Sequence, residues 1–313
     1  MNEKERAAAL REEIERLKKE KGAVIMAHYY QRKEIQEIAD FIGDSLALAQ
    51  QAAKTDARVI VMCGVHFMGE TAKILCPDRK VLVPDMEAGC SLADSCDAQA
   101  LRAFKEAHPG HTVISYVNTT AAVKALTDIV VTSGNAKKIV ESLPKDEKII
   151  FGPDRNLGGY LNSVTGREMV LWPGACHVHD RFSLEGIMRL REEHPEAKVL
   201  VHPECRKPLQ LIADKVGSTA ALLDYARKSE SREFIVVTES GILHEMQKAC
   251  PEKEFIAAPA EDSECQCNEC EYMKLNTLEK VAAALRNESP EIEVDEEIAE
   301  AAMRPIRRML ELS

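Results

Sequence analysis

The chain has 313 residues, 45% of them hydrophobic, enough apolar material for two or three domains and too much for a disordered polypeptide. A formal net charge of −11 at pH 7 excludes a general nucleic-acid binder, though a pocket can still be locally positive. No apolar run is long enough to cross a membrane, so no membrane partner is expected.

The chain opens with MNEKERAAALREEIERLKKEKG, a charged amphipathic helix predicted to end at Gly22. It lacks the apolar centre of a signal peptide, which points to the cytoplasm. Ten cysteines in a reducing compartment do not predict a disulfide framework. Cys63, at the end of the apolar run VIVMC, reads as a small core residue.

From there the sequence repeats itself three times. A first landmark strand begins at Val24 (VIMAHYY), Val113 (VISYVNT) and Val199 (VLVHPEC). A second follows at Arg58 (RVIVMC), Lys148 (KIIFG) and Glu233 (EFIVV). A third follows at Lys80 (KVLVP), Glu168 (EMVLW) and Glu254 (EFIAAP), and each then runs into cysteine. Helical stretches fall between the landmarks. In the first unit these are EIQEIAD, LALAQQAAK and GETAKIL; in the second AAVKAL, AKKIVESL and LGGYLNSV; in the third PLQLIADK, ALLDYARK and ILHEMQKA. A last helix closes each unit: DAQALRAFKEAH, FSLEGIMRLREEH and TLEKVAAALRN, with Pro109, Pro195 and Pro290 beyond. Alternating strands and helices imply parallel sheets with right-handed crossovers. The prediction is an α/β fold of three homologous three-layer α/β/α domains with parallel sheets, set around a pseudo-threefold axis. Their boundaries are expected at 1–110 (with the N-terminal helix and Cys90), 111–196 (Cys176) and 197–313 (Cys270 and a C-terminal helix). The regular intervals favour this over one long doubly wound sheet.

Open α/β sheets bind ligands beyond the carboxyl ends of their strands. The first strands end in His28-Tyr29-Tyr30, Tyr116-Val117-Asn118 and His202-Pro203-Glu204. The second strands lead into Gly43-Asp44-Ser45, Thr132-Ser133-Gly134 and Gly217-Ser218-Thr219, at predicted helix N-termini. There a hydroxyl can cap free N–H groups, and the helix dipole favours an anion. Plain capping explains one such residue; three at equivalent edges suggest a shared phosphate or carboxylate site. Tyrosine, histidine and glutamate at the first set can move protons. His177 and His179, beside Cys176, lack a second cluster to complete a zinc site.

One cysteine per repeat is the sharpest signal. Packed about a pseudo-threefold axis, three thiolates meet at one point and can hold a cubane cluster with one iron free of protein ligand. Spacing alone leaves zinc with three cysteines and water open. In the third repeat, the interval from the first strand favours Cys265. Cys270, ahead of YMKLNTLEK, is predicted to sit at a helix N-terminus, where the dipole stabilises a thiolate.

These residues resemble the quinolinate synthase family. The likeness runs through AHYYQ (27–31), GDSLALA (43–49), SYVNTTAAVKA (115–125), VTSGNA (131–136), GPDRNLGGYL (152–161), WPGACHVHD (172–180), VHPEC (201–205), VGSTAALL (216–223) and CEYMKLNTLEK (270–280). It implies a [4Fe-4S] cluster whose open iron acts as a Lewis acid. It also implies condensation of iminoaspartate with dihydroxyacetone phosphate to quinolinate, phosphate and water, for NAD synthesis. An L-aspartate oxidase or dehydrogenase would supply the iminoaspartate. Position by position, Cys90, Cys176 and Cys270 correspond to cluster ligands. His28, Ser45, Tyr116, Asn118, Ser133, His202, Glu204 and Thr219 correspond to substrate-binding positions, and Tyr30 to a proton-transferring tyrosine. With Tyr30, the residues Tyr116, His202 and Glu204 form the expected catalytic set. Some family members carry a CxxCxxC run near the third ligand. Here the run is Cys265-Gln266-Cys267-Asn268-Glu269-Cys270, so no thiol-switch role carries over to the first two. Diphthamide-synthesis enzymes also resemble a triplicated fold with one cysteine per repeat, but cleave S-adenosylmethionine. An iron–sulfur sensor is the non-enzymatic alternative.

Overall fold

The computed structural model describes residues 2–261 and 268–313. Cys265 and Cys267 lie outside the described residues. Three parallel four-stranded sheets form the frame. The first contains β1 (Ala23–His28), β2 (Phe41–Gly43), β3 (Val59–Cys63) and β4 (Lys80–Leu82), in the order β2-β1-β3-β4. The second contains β5 (Thr112–Tyr116), β6 (Ile129–Val131), β7 (Ile149–Gly152) and β8 (Val170–Leu171), in the order β6-β5-β7-β8. The third contains β9 (Lys198–Val201), β10 (Lys215–Val216), β11 (Glu233–Val237) and β12 (Glu254–Ala257), in the order β10-β9-β11-β12. Triplication and parallel pairing are as the repeats predict.

Each strand divides its side chains between two cores, because successive residues point to opposite faces. Met26, Ile60, Ile114, Phe151, Leu200 and Phe234 all enter one central core shared by the three sheets. Their neighbours Ile25, Val61, Val113, Ile150, Val199 and Ile235 face three separate peripheral cores. With both faces covered, the strands read as continuous apolar runs without alternation.

The closing helices pack forward along the chain. Helix Ala98–Ala107, after the first sheet, sets Leu101 against Val113 and Ile150 of the second. Helix Leu184–Glu193 sets Ile187 against Val199 and Ile235 of the third. Helix Leu278–Asn287 returns to the first sheet, where Val281 and Leu285 join Ile14 and Leu17 of the N-terminal helix. That N-terminal helix spans Glu3–Lys21 and ends at Gly22, whose φ of 57° suits glycine. Helix Glu296–Leu312 buries Ala302, Ile306 and Met309 in the central core.

A repeated aspartate sets the register. The carboxylates of Asp40, Asp128 and Asp214 accept the N–H of Ile25, Val113 and Val199 at 2.8, 2.8 and 2.9 Å. Each aspartate N–H donates back to the same residue's carbonyl at 2.9 Å. The equivalent of Val113 is therefore Ile25, one residue beyond the Val24 that apolar matching selects. The same aspartate explains a shortened helix. EIQEIAD yields only the turn Lys33–Gln36, because Asp40 is committed to the edge of β1.

Among the described residues no helix is long and apolar enough to cross a membrane. The cysteines among them are free, and Cys63 is fully buried in a peripheral core, as expected.

Candidate active site

The carboxyl ends of the three sheets meet at one cavity of about 700 Å³, open solvent at its mouth included. The loops after the second strands converge there. A methyl group placed on Gly134 would lie 3.5 Å from Ser218 Oγ and 3.8 Å from Leu46, one contact with each of the other two repeats. Ser45, Ser133 and Thr219 line this part of the wall. In two of the three loops the helix cap is the residue just before. Asp44 accepts from Ala47 N at 3.0 Å, and Ser218 accepts from Ala221 N at 3.3 Å. Ser45 and Thr219 are first residues of their helices, and Ser133 precedes helix Ala136–Ser142. The reason is geometric: the cap must stay extended outside the first turn, so the more N-terminal polar residue takes the role.

The first strands deliver His28, Tyr116 and His202, with Tyr30, Asn118 and Glu204 two residues later; all six line the cavity. His28 Nδ1 accepts from Tyr30 N at 3.1 Å, and His202 Nδ1 accepts from Glu204 N at 3.4 Å. An accepting Nδ1 assigns the proton to Nε2. Burial drives both imidazoles down to about 3, so both are neutral donors near pH 7. Asn118 Oδ1 is buried and has no partner among the described residues. An orphaned acceptor in a cavity wall calls for a ligand donor.

A hydrogen-bonded chain links the rest. The Tyr116 hydroxyl donates to Glu204 Oε1 at 2.5 Å. Glu204 Oε2 lies 3.1 Å from His179 Nδ1, and His179 Nε2 lies 2.9 Å from Thr238 Oγ1. Thr238 Oγ1 is 2.7 Å from the Tyr30 hydroxyl, which is 2.7 Å from Thr219 Oγ1. Burial alone would raise the Glu204 carboxyl. His179 and His202, with the bonds from His179 and the phenol, outweigh it and hold the group below its usual range. Burial, reinforced by that carboxylate, pushes the Tyr116 phenol well up.

Cys90, Cys176 and Cys270, one from each repeat, share the same cavity. Burial raises the thiols of Cys90 to about 12, of Cys270 to about 11, and of Cys176 well above its ordinary value. Cys270 does not open an α-helix as expected. A 3-10 turn, Met273–Leu275, follows it, and the α-helix starts only at Leu278. At the rim, Ser91 Oγ meets His177 Nδ1 at 2.5 Å, and Tyr272 meets the same ring edge-on.

Residues 12–311 match the family model described as quinolinate synthetase A protein. The chain belongs to that family. Relatives named quinolinate synthase include those of Chloroherpeton thalassium, 57% identical over 302 residues, and of Synechococcus and Synechocystis, each 58% identical over 300. The matches cover 96% of this chain and 94% of each relative. These relatives are enzymes, and so is this quinolinate synthetase A family member.

Within that family framework, every site residue expected from the sequence falls on the one cavity wall. Four further residues escaped sequence reading. His179 was visible in ACHVHD only as a possible zinc ligand. The fold instead sets it between Cys176, Glu204 and Thr238, and its ligand atoms with those of Cys176 and Glu204 lie within 4.8 Å of one another. Thr238 and Glu239 follow β11 with no local signal. Lys124 is fully buried under the turn that presents Asn118, donating to Val117 O at 2.8 Å and to Thr119 O. Burial lowers its ammonium to about 8. Among the described residues no lysine or arginine lines the cavity.

Proposed function

We propose that this chain condenses iminoaspartate with dihydroxyacetone phosphate to give quinolinate, phosphate and water, with a [4Fe-4S] cluster held by Cys90, Cys176 and Cys270. Iminoaspartate would come from an L-aspartate oxidase or dehydrogenase. What carries the reading is the single cavity, lined by one cysteine from each repeat and by hydroxyls and imidazoles at equivalent strand ends.

The donor set fits the cluster. Three thiols without a fourth cysteine on the described wall leave one iron open. Raised thiol values mean that three protons leave on loading. When bound, the cluster supplies an open iron that acts as a Lewis acid on a hydroxyl or carboxylate.

The remaining work falls to the chain. Ser45, Ser133 and Thr219, with the N-terminal N–H groups of helices Ser45–Ala52 and Thr219–Lys228, hold carboxylate and phosphate oxygens. Cationic side chains are not needed for this, because aligned N–H groups and hydroxyls carry the partial positive charge. Neutral His28 and His202 donate Nε2–H to substrate oxygens without placing a fixed charge beside the metal. Asn118 Oδ1 accepts from the imine or a hydroxyl. Glu204 takes a proton and Tyr116 returns one as the ring closes and water is lost. Tyr30, joined to the same chain through Thr238 and His179, moves a proton at the opposite wall.

Anaerobic reconstitution with iron and sulfide, followed by a quinolinate assay, tests this. Quinolinate should form only with both substrates and the loaded protein. A fully loaded protein that makes none, or one that releases a 5′-deoxyadenosine-type product from S-adenosylmethionine, overturns it.

A further inference from the structure

Two buried carboxylates stand two residues beyond the third strand of their sheets: Asp154 after β7 and Glu239 after β11, both fully buried. Asp154 Oδ2 accepts the peptide N–H of Cys176 at 3.1 Å, while its Oδ1 accepts from Leu157 N at 2.8 Å. Glu239 Oε1 accepts the peptide N–H of Cys270, also at 3.1 Å, while its Oε2 accepts from Gly241 N at 2.7 Å. Lys274 neutralises Glu239 at 2.8 Å and donates to Tyr30 O at 2.7 Å, tying the third repeat to the first. The equivalent position after β3 is Val65, which is apolar and buried. The loop of Cys90 is held instead by a main-chain bond from His66 N to Ala88 O at 2.7 Å.

We propose that Asp154 and Glu239 are positioning residues for the metal centre, each fixing one cysteine by gripping its peptide N–H. The inference rests on the reading of Cys176 and Cys270 as cluster ligands. A cysteine in a loop brings its sulfur to the metal only if its main chain is held, and loops supply little packing of their own. A buried carboxylate is a strong acceptor for that N–H, and burying one is costly unless it makes such bonds. Neither site merely caps a helix. Asp154 needs one oxygen for Leu157 and spends the second on Cys176, and Glu239 precedes a loop whose own N–H takes only one of its oxygens. Two cysteine loops are thus preset by buried carboxylates, whereas among the described residues no carboxylate accepts the N–H of Cys90.

Asp154→Asn and Glu239→Gln separate this from a general stabilising role. The amide keeps one acceptor oxygen and turns a donor toward the other N–H. In full-length, cluster-loaded protein, hydrogen–deuterium exchange at the Cys176 amide should quicken about tenfold or more in Asp154→Asn, and at the Cys270 amide in Glu239→Gln. The Cys90 segment should be unchanged in both. Iron loss to a chelator should quicken by about 10–100-fold, the usual scale for partners that orient metal ligands. Folded variants with unchanged exchange at Cys176 and Cys270 overturn the proposal; if one variant fails to fold, the other decides. Cys176→Ser is the control. If it retains full iron, the ligand assignment fails, and the exchange data still decide whether the carboxylates hold these loops.

Discussion

The phenol of Tyr116, at the end of β5, donates to Glu204 Oε1 at 2.5 Å across the join between the second and third repeats. Each depends on the other: without the phenol Glu204 Oε1 loses its hydrogen-bond donor while Oε2 keeps His179, and without the carboxylate the phenol loses this proton acceptor. Tyr116→Phe and Glu204→Gln each keep shape and remove the exchangeable pair. Turnover should fall by about two orders of magnitude in each, the usual scale for acid–base groups. The double variant should be little worse than either single one, because the two act as a unit. Steady-state kinetics with cluster absorbance as a loading control measures this. Near-normal turnover in both singles would reduce the pair to packing.

His28 and His202 carry an acid-stability signature. Burial holds both near 3 when folded, against about 6.5 in an unfolded chain. The folded value is the lower one, so the unfolded chain binds more protons between those limits. Their contribution is present above about pH 6.5 and is lost as pH falls toward 3. The Tm should therefore drop steadily on acidification below pH 6.5, and His28→Gln should flatten that slope. Equal slopes for the two proteins would contradict the neutral assignment.

Cysteine-to-serine variants read the metal site directly. Loss of Cys90, Cys176 or Cys270 should abolish the intact cluster and activity after anaerobic loading. Replacing Cys265 or Cys267 should leave iron content and turnover largely intact. Full iron and normal turnover in Cys270→Ser, beside a dead Cys265→Ser, would move the third ligand to Cys265.

Triplication, strand direction and the loops that carry the site were legible because β-branched runs and their intervals repeat. Register was not. In β1 every residue from Val24 to Ala27 is buried, so no alternation marks which one matches Val113. The signal that could have fixed it was polar: Asp40, Asp128 and Asp214 recur at equivalent places. Which residue caps was not legible for a related reason. In Asp44-Ser45 and Ser218-Thr219 two capping residues adjoin, and composition cannot say which lies outside the helix. His179 gained its role only from the fold, which brings Glu204 and Thr238 to it from the third repeat.

Those aspartates should behave as structural parts. Each satisfies a buried strand N–H, and its loss leaves a donor unpaired. Asp128→Ala should cost about 1–3 kcal/mol of stability in denaturant melts and leave KM unchanged. A changed KM with unchanged stability would place Asp128 in the site.

The last prediction separates binding from capping at the second-strand loops. Asp44 and Ser218 already cap these helices, accepting from Ala47 N and Ala221 N, so the hydroxyls of Ser45 and Thr219 are not needed for helix stability. Both face the cavity, where each can donate to an anionic oxygen. Ser45→Ala removes one hydrogen bond to a charged group, worth about 1.5–3 kcal/mol. That is about a tenfold or larger loss of affinity. Thr219→Ala should cost at least as much, because it also frees the Tyr30 hydroxyl from its 2.7 Å contact. Ser45→Ala should not shift the Tm appreciably, and Thr219→Ala should cost no more than its one contact with the Tyr30 hydroxyl, which keeps Thr238. Ser218→Ala should do the reverse, losing about 1 kcal/mol of stability through its cap. Isothermal titration with dihydroxyacetone phosphate and thermal melts on the three variants give the two readouts. If Ser45→Ala and Thr219→Ala lower the Tm and bind normally, the hydroxyls belong to the helices and the anion is held by main-chain N–H groups alone.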